Sequence, residues 1–260
     1  MAPFVGVDWA SRGWLAVAIE GGEWTARMHP SIHSVWFDHR DAESVLVDIP
    51  IGLPESERRE CDRGAKEFLG PDRARSVFWT PCRDAVERDT YAAAKRANRE
   101  ALGDGLSTQA WGLVPRIREV DRFLRDTDDA RGVVAESHPE VCFASFAAGS
   151  LPSKHDDGGL DARRETLEAT DASAAGVYDR FVEEHIEGQP AWARRIGESN
   201  RDDLLDAMAL ALTAKAGADG FERTLDPASD GAASVPRDSE GLPMRIVYAE
   251  PEPGLRGRHG

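Results

Sequence analysis

The sequence predicts an α/β fold in which a mixed β-sheet is flanked by helices. Three short segments near the amino terminus, the first of them an apolar run, read as strands joined by tight connections, a pattern typical of an antiparallel meander. Residues 44–50 contain a continuous Val/Leu run, as parallel strands covered on both faces do, and residues 132–136 predict another buried strand. The expected sheet therefore combines a three-stranded meander with parallel strands.

The strands of the meander are expected at residues 3–9, 13–20 and 23–29, with Gly21-Gly22 as the turn between the second and third. A short amphipathic segment at about 31–37 then leads into the fourth strand, which Pro50 and Pro54 end. The fifth strand, at 132–136, is closed by His138-Pro139.

An arginine-rich stretch at about 55–131 separates the fourth and fifth strands, and we interpret it as a helical insertion. Helices are expected at about 57–69, 84–101 and 109–126, and later at about 160–185 and 200–216. The predicted domain spans residues 1–224. Residues 225–260 are rich in Pro, Gly, Ser and Asp, which predicts a polar, partly ordered tail with one strand at 244–249.

Composition limits the functional classes. The 260-residue chain carries a net charge of -15, and 28 of its 32 basic residues are arginine, which we interpret as adaptation to a salty cytosol. This acidity disfavours a strong nonspecific grip on nucleic acid. Residues 52–100, however, hold 11 basic residues against 10 acidic ones, so nucleic acid stays open as a partner.

The cysteines and the apolar runs point to a cytoplasmic protein. Cys61, Cys82 and Cys142 form no closely spaced pair, so neither a disulfide framework nor a zinc knuckle is indicated. No apolar run approaches the roughly 18 residues that a membrane span needs. We therefore expect no membrane partner, while the oligomeric state stays open, a homodimer included.

Five carboxylates form the candidate metal site. Three of them, Asp8, Asp48 and Glu136, stand at the ends of apolar strands, and Asp203 and Asp206 lie three apart on one helix face. Each acid alone could be a turn or cap residue, and Glu136 could pair with an arginine of the insertion. Gathering all of them is costly unless a cation neutralises them. Oxygen ligands suit Mg²⁺ or Mn²⁺, and two such ions would activate water and neutralise a phosphodiester.

Other polar residues are weaker candidates. Lys154 could meet a substrate phosphate, although a solvated loop explains it as well. Arg75 and Arg83 flank the apolar segment at 76–79 and could bind nucleic acid by charge and stacking, although a buried turn of the insertion explains its aromatics equally well. His138 could act as a general base or orient a ligand, although a structural strand-end role explains it as well. Asp202 points away from the helix face of the candidate ligands. It could cap that helix, as could Asn200.

Several motifs resemble those of an uncharacterised family labelled "domain of unknown function", whose members are regarded as ribonuclease-H-like nucleases. The resemblance covers roughly residues 3–215 and rests on Gly6-Val-Asp-Trp9, Asp48-Ile-Pro-Ile-Gly-Leu-Pro54, Arg59-Glu-Cys-Asp62, Ser76-Val-Phe-Trp-Thr-Pro81, Gly105-Leu-Ser-Thr-Gln109, Glu119-Val-Asp121, Glu136-Ser-His-Pro-Glu140 and Asp203-Leu-Leu-Asp-Ala-Met-Ala-Leu-Ala211. The last motif also resembles the final catalytic helix of Holliday-junction resolvases. These resemblances imply a ribonuclease-H-like sheet and a carboxylate site that uses Mg²⁺ or Mn²⁺.

Three functions are consistent with the sequence. The first is a metal-dependent nuclease acting on DNA or RNA by a two-metal-ion mechanism. The second is a non-enzymatic scaffold or binding module. The third is an actin-like phosphotransferase, which is disfavoured because the turn after Asp8 lacks the glycine that would cradle ATP phosphates.

Overall fold

The structure, a computed structural model, describes residues 1–149, 151–190, 196–225 and 234–250. The chain divides into two compact units. The first comprises Met1–Asp48, Val133–Arg223 and Tyr248–Gly260, and the second comprises Ile49–Gly132 and Thr224–Val247. The second unit thus contains the whole stretch that we predicted as a helical insertion. Of the predicted tail, residues 226–233 and 251–260 lie outside the described residues.

A five-stranded mixed sheet lies at the centre of the first unit. Its strands follow the order β3-β2-β1-β4-β5; their bounds are β1 Phe4–Trp9, β2 Trp14–Glu20, β3 Glu23–His29, β4 Ser44–Val47 and β5 Val134–Glu136. β1, β2 and β3 pair antiparallel, whereas β4 pairs parallel with both β1 and β5. The predicted α/β class, with a meander joined to parallel strands, is confirmed.

The α-helices lie in the chain between β3 and β4, between β4 and β5, and after β5. Those of the first unit are α1 Ile32–His39, α6 Pro139–Phe146, α7 Gly159–Thr170, α8 Val177–Val182 and α9 Arg201–Ala216; those of the second are α2 Glu60–Arg73, α3 Arg83–Val86, α4 Tyr91–Leu102 and α5 Thr108–Asp126. A separate two-stranded sheet joins β6 (Glu222–Leu225) to β7 (Ile246–Ala249), so the strand expected at 244–249 is present.

Two predicted helices are wrong as continuous elements. The helix expected at 84–101 is broken, because the Thr90 side chain accepts a hydrogen bond from the Ala93 N–H and so begins α4 anew. The helix expected at 160–185 ends at Thr170. There the Asp171 side chain accepts from the Ser173 N–H, and Gly176 adopts a left-handed conformation with φ +70° before α8.

Helix α9 packs directly on β1, and a glycine makes this possible. A Cβ atom at Gly6 would lie 2.1 Å from the Ala207 carbonyl oxygen and 2.3 Å from the Ala211 nitrogen. Residues Leu204–Ala214 are all buried, so α9 is surrounded by protein instead of presenting a single apolar stripe. The close approach of the two backbones brings the amino-terminal half of α9 to the carboxyl end of β1.

The second unit contains a buried ion pair. The Arg59 guanidinium donates to Asp62 Oδ1 and to the Ile51 carbonyl at 2.8 Å, and Asp62 Oδ2 accepts from the Thr80 N–H at 2.9 Å. Both charged side chains are 2% exposed. These contacts bind the loop after β4 to the start of α2 and to the segment before α3.

Candidate metal centre

Three carboxylates converge where β1 meets α9. Asp8 is the fifth residue of β1, and Asp203 and Asp206 lie one turn apart on α9. One oxygen from each of these carboxylates lies within 4.8 Å of the others. Asp8 is 7% exposed and Asp206 is 5% exposed, so two of the three charges are held away from bulk water. Three of the five predicted ligands are therefore together.

Asp206 has one oxygen with a partner and one without. Its Oδ2 accepts a hydrogen bond from Lys154 Nζ at 3.1 Å. Its Oδ1 is buried and has no hydrogen-bond partner among the residues that the structure describes. A buried oxygen left in this state is costly, because an ionised carboxylate needs a donor or a cation to replace water. Asp206 Oδ1 is therefore suited to coordinate a metal ion.

The other two acids are held in position by neighbours. Asp8 Oδ1 accepts from the Trp9 N–H at 2.6 Å. Asn200 Nδ2 donates to Asp203 Oδ2 at 2.6 Å and lies 3.0 Å from Ser11 Oγ. Asn200 occupies the cap position of α9 but its side chain makes no cap hydrogen bond, so its predicted capping role is wrong. The amide instead orients Asp203.

The cluster resists ionisation. Burial raises the pKa of Asp8 well above its ordinary value, and the charges of Asp48 and Asp206 add to the effect. Burial likewise raises the pKa of Asp206 to about 7, although the nearby Lys154 charge acts in the opposite direction. Burial raises the pKa of Asp203 to about 6, although its hydrogen bond from Asn200 lowers it. Carboxylates in this state bind a proton near neutral pH unless another cation replaces it.

Comparison with known proteins gives the family and nothing more specific. A family model described as "Protein of unknown function (DUF429)" matches residues 6–230, a range that includes all five predicted ligands. The chain belongs to this family. No curated protein and no solved structure matches the sequence significantly.

In this DUF429 member the fourth predicted ligand, Asp48, lies next to the cluster. Its N–H donates to the Val7 carbonyl at 3.0 Å, which continues the parallel pairing of β1 and β4 by one residue. Burial raises the pKa of Asp48 to about 7; the Lys154 charge lowers it and the Asp203 charge raises it. Asp48 is therefore within electrostatic reach of the triad, although it is not among the three acids whose oxygens converge.

The fifth predicted ligand, Glu136, lies on the other face of the sheet. The register pairs Val7 with Val47 and Val47 with Glu136, so these three side chains share a face. The Cβ position of Gly6 faces α9, and alternation places Asp8 on that face too. Glu136 is buried on the face opposite to Asp8.

Sequence reasoning missed Glu140, which comes four residues later at the first turn of α6. Its charge raises the pKa of both Asp48 and Asp206, so it lies near the acid cluster. Its Oε1 accepts from the Arg163 guanidinium at 2.6 Å. The motif Glu136-Ser-His-Pro-Glu140 offered both acids, and only the register distinguishes them.

The four predicted substrate contacts fall in different places. Lys154 is part of the cluster, through Asp206 and through Asp202 at 2.7 Å. His138 is half-buried immediately before α6. The expectation that Asp202 points away from the candidate ligands is wrong, because its side chain shares Lys154 with Asp206.

The two arginines belong to the second unit. Arg75 is exposed there, while Arg83 is bound in ion pairs with Asp121 at 3.1 Å and Asp238. The cations that lie over the Trp79 ring are Arg58 and Lys66, at 4.2 and 4.9 Å from its centroid.

No helix in the described ranges combines the length and the apolar character needed to cross a membrane. The cytoplasmic location and the oligomeric state stay predictions.

Proposed function

We propose that this protein is a metal-dependent nuclease that hydrolyses phosphodiester bonds with Mg²⁺ or Mn²⁺ at Asp8, Asp203 and Asp206. The observation that carries the proposal is the convergence of these three carboxylates with one oxygen, Asp206 Oδ1, buried and unpartnered within the described part of the chain. Asp48 is the fourth carboxylate of the proposed site.

The donor set fits a hard cation. All three converging ligands are carboxylates, and neither histidine nor cysteine joins them in the described cluster. Zinc sites normally use nitrogen or sulfur, whereas Mg²⁺ and Mn²⁺ favour oxygen. The raised pKa values of Asp8 and Asp206 also support a cation, because a positive charge would restore their ionised forms. When bound, such an ion lowers the pKa of water and neutralises charge on a phosphoryl oxygen.

Backbone and side-chain groups of the protein would orient the metal ligands and contact the substrate. The Trp9 N–H and the Asn200 amide fix the orientation of Asp8 and Asp203 before any ligand arrives. Such preorganisation reduces the entropy that must be lost when substrate binds. Lys154, at the edge of the cluster and 27% exposed in its side chain, is the nearest candidate to meet a phosphate.

The phosphotransferase alternative requires free backbone N–H groups in the turn between β1 and β2. In this turn the Ala10 N–H donates to the Gly13 carbonyl at 2.9 Å and the Arg12 N–H donates to the Ala10 carbonyl. These donors are used within the turn and are not available to a nucleotide phosphate. We therefore prefer the nuclease proposal.

A cleavage assay tests it. Labelled single-stranded, double-stranded, branched and hybrid nucleic acids are incubated at high salt with Mg²⁺, Mn²⁺ or EDTA. We expect metal-dependent cleavage that is lost in Asp8→Asn and Asp203→Asn. The matched control is Asp171→Asn, which alters an acid paired with Lys215 near the far end of α9. Cleavage that survives in Asp203→Asn, or no cleavage of any substrate, would refute the proposal.

A further inference from the structure

Lys154 forms ion pairs with two acids of α9. Its ammonium lies 2.7 Å from Asp202 Oδ2 and 3.1 Å from Asp206 Oδ2, two carboxylates one turn apart on α9. An ordinary lysine, with a pKa of about 10.4, is protonated at neutral pH, and two carboxylates within salt-bridge distance favour its charged form further. The ammonium is therefore a permanent positive charge at neutral pH.

Contacts with α7 hold the loop that carries Lys154 in place. Arg163 on α7 is fully buried, and it donates to the Pro152 carbonyl at 2.9 Å and to Glu140 at 2.6 Å. A Cβ atom at Gly159 would lie 2.0 Å from the Ser153 carbonyl oxygen, so the start of α7 presses on the loop at the residue before Lys154. These contacts fix where the lysine backbone lies.

The position of the ammonium divides the carboxylates into two sets. Asp206 Oδ2 accepts a hydrogen bond from Lys154, while Asp206 Oδ1 has no partner among the described residues. The Lys154 ammonium contacts Asp206 and Asp202, whereas Asp8 and Asp203 have no hydrogen-bonded cation among the described residues.

We propose that the Lys154 ammonium occupies one of two cation positions in this cluster, so that the protein alone binds a single divalent ion. This inference rests on the proposed metal site and changes its stoichiometry. A two-metal centre needs ions about 3.5–4 Å apart that share a bridging carboxylate. Here the shared carboxylate is Asp206, and Lys154 takes the place of the second ion. A neutral side chain at position 154 would open that place.

Counting bound ions tests the inference without relying on activity. Ion-free protein is titrated with Mn²⁺, and the bound ions are counted by isothermal titration calorimetry and by the loss of the free-Mn²⁺ electron paramagnetic resonance signal. We expect one ion per chain for the wild type and two for Lys154→Met. Lys154→Arg keeps the charge and is expected to stay at one. Lys215→Met, which removes the other lysine that pairs with an acid beside α9, is the matched control and is also expected to stay at one.

Each outcome has a distinct meaning. Two ions in the wild type, or one in Lys154→Met, would overturn the lysine assignment and leave the metal site standing. No bound ion in the wild type would overturn the metal site itself. Lys154→Gln, another neutral replacement, gives the same test if the methionine variant does not fold, as judged by circular dichroism.

Discussion

The two units bury charged side chains in opposite ways. In the second unit, Arg59 and Asp62 neutralise each other, and backbone groups satisfy what remains. In the first unit, Asp8 and Asp206 lie among further carboxylates with Lys154 as the nearest cation, and the pKa values of these acids are raised. A buried ion pair is costly to break because the remaining charge is left uncompensated, whereas a buried cluster of like charge costs stability until a cation arrives.

Breaking the Arg59–Asp62 ion pair should give the largest change in stability. Arg59→Met removes the guanidinium and leaves Asp62 buried without its opposite charge, so the free energy of unfolding should fall by about 3–5 kcal/mol. Chemical denaturation measures this loss. Arg75→Met, at an exposed arginine of the same unit, should change stability by less than about 0.5 kcal/mol. Equal losses in the two variants would contradict the structural role of the Arg59 pair.

Removing a charge from the acid cluster should raise the stability of the ion-free protein, in contrast to the loss expected for Arg59→Met. In ion-free protein at about pH 7.5, Asp206→Asn removes a carboxylate that burial and Asp48 make hard to ionise. The free energy of unfolding should therefore rise, on the order of 1–3 kcal/mol. Thermal melting in EDTA measures it, with Asp62→Asn as the contrasting variant that should melt lower. A lower melting temperature for Asp206→Asn would contradict the claim that the acid cluster costs stability in the ion-free protein.

The sequence predicted the triad because its signals are local. Asp8 ends an apolar run, and the spacing of Asp203 and Asp206 alone places them on one helix face. It did not predict that α9 lies on β1, since that contact depends on the missing side chain of Gly6, 201 residues before Ala207 in the chain.

The position of Glu136 on the other face of the sheet was missed for a different reason. β5 is only three residues long, and a slip of one residue moves every side chain to the other face. A run of Val and Ala does not fix that register. The partners of Lys154 were missed for a similar reason, because the loop geometry that directs it to Asp202 depends on Arg163 and Gly159.

The stability of the ion-free protein should depend on pH in a defined direction. Asp48 and Asp206 have a folded-state pKa of about 7, raised from 3.8, so the folded state binds protons more tightly than the unfolded state. Their contribution is present below about pH 4 and is lost as pH rises towards 7. The melting temperature of Asp206→Asn should fall less over this range than that of the wild type. Parallel curves would contradict the raised pKa values.

The smallest expected effect is on Mn²⁺ binding, and it distinguishes side chains on the two faces of the sheet. Glu136→Gln should change the Mn²⁺ dissociation constant by no more than about twofold, because Glu136 lies on the face opposite to Asp8. Asp48→Asn should weaken Mn²⁺ binding by about tenfold or more, since it removes a charge next to the triad. Calorimetric titration of both variants measures the difference. A larger loss for Glu136→Gln would show that the assignment of faces is wrong.

The most direct test of the acid cluster is thermal melting of ion-free protein with increasing Mg²⁺ at constant ionic strength and about pH 7.5. If the cluster binds a divalent ion, the wild type should gain about 2.7 kcal/mol when Mg²⁺ reaches 100 times its dissociation constant. Asp206→Asn, which lacks the buried carboxylate, should gain far less. No rise in the wild type, or an equal rise in both proteins, would contradict the metal site.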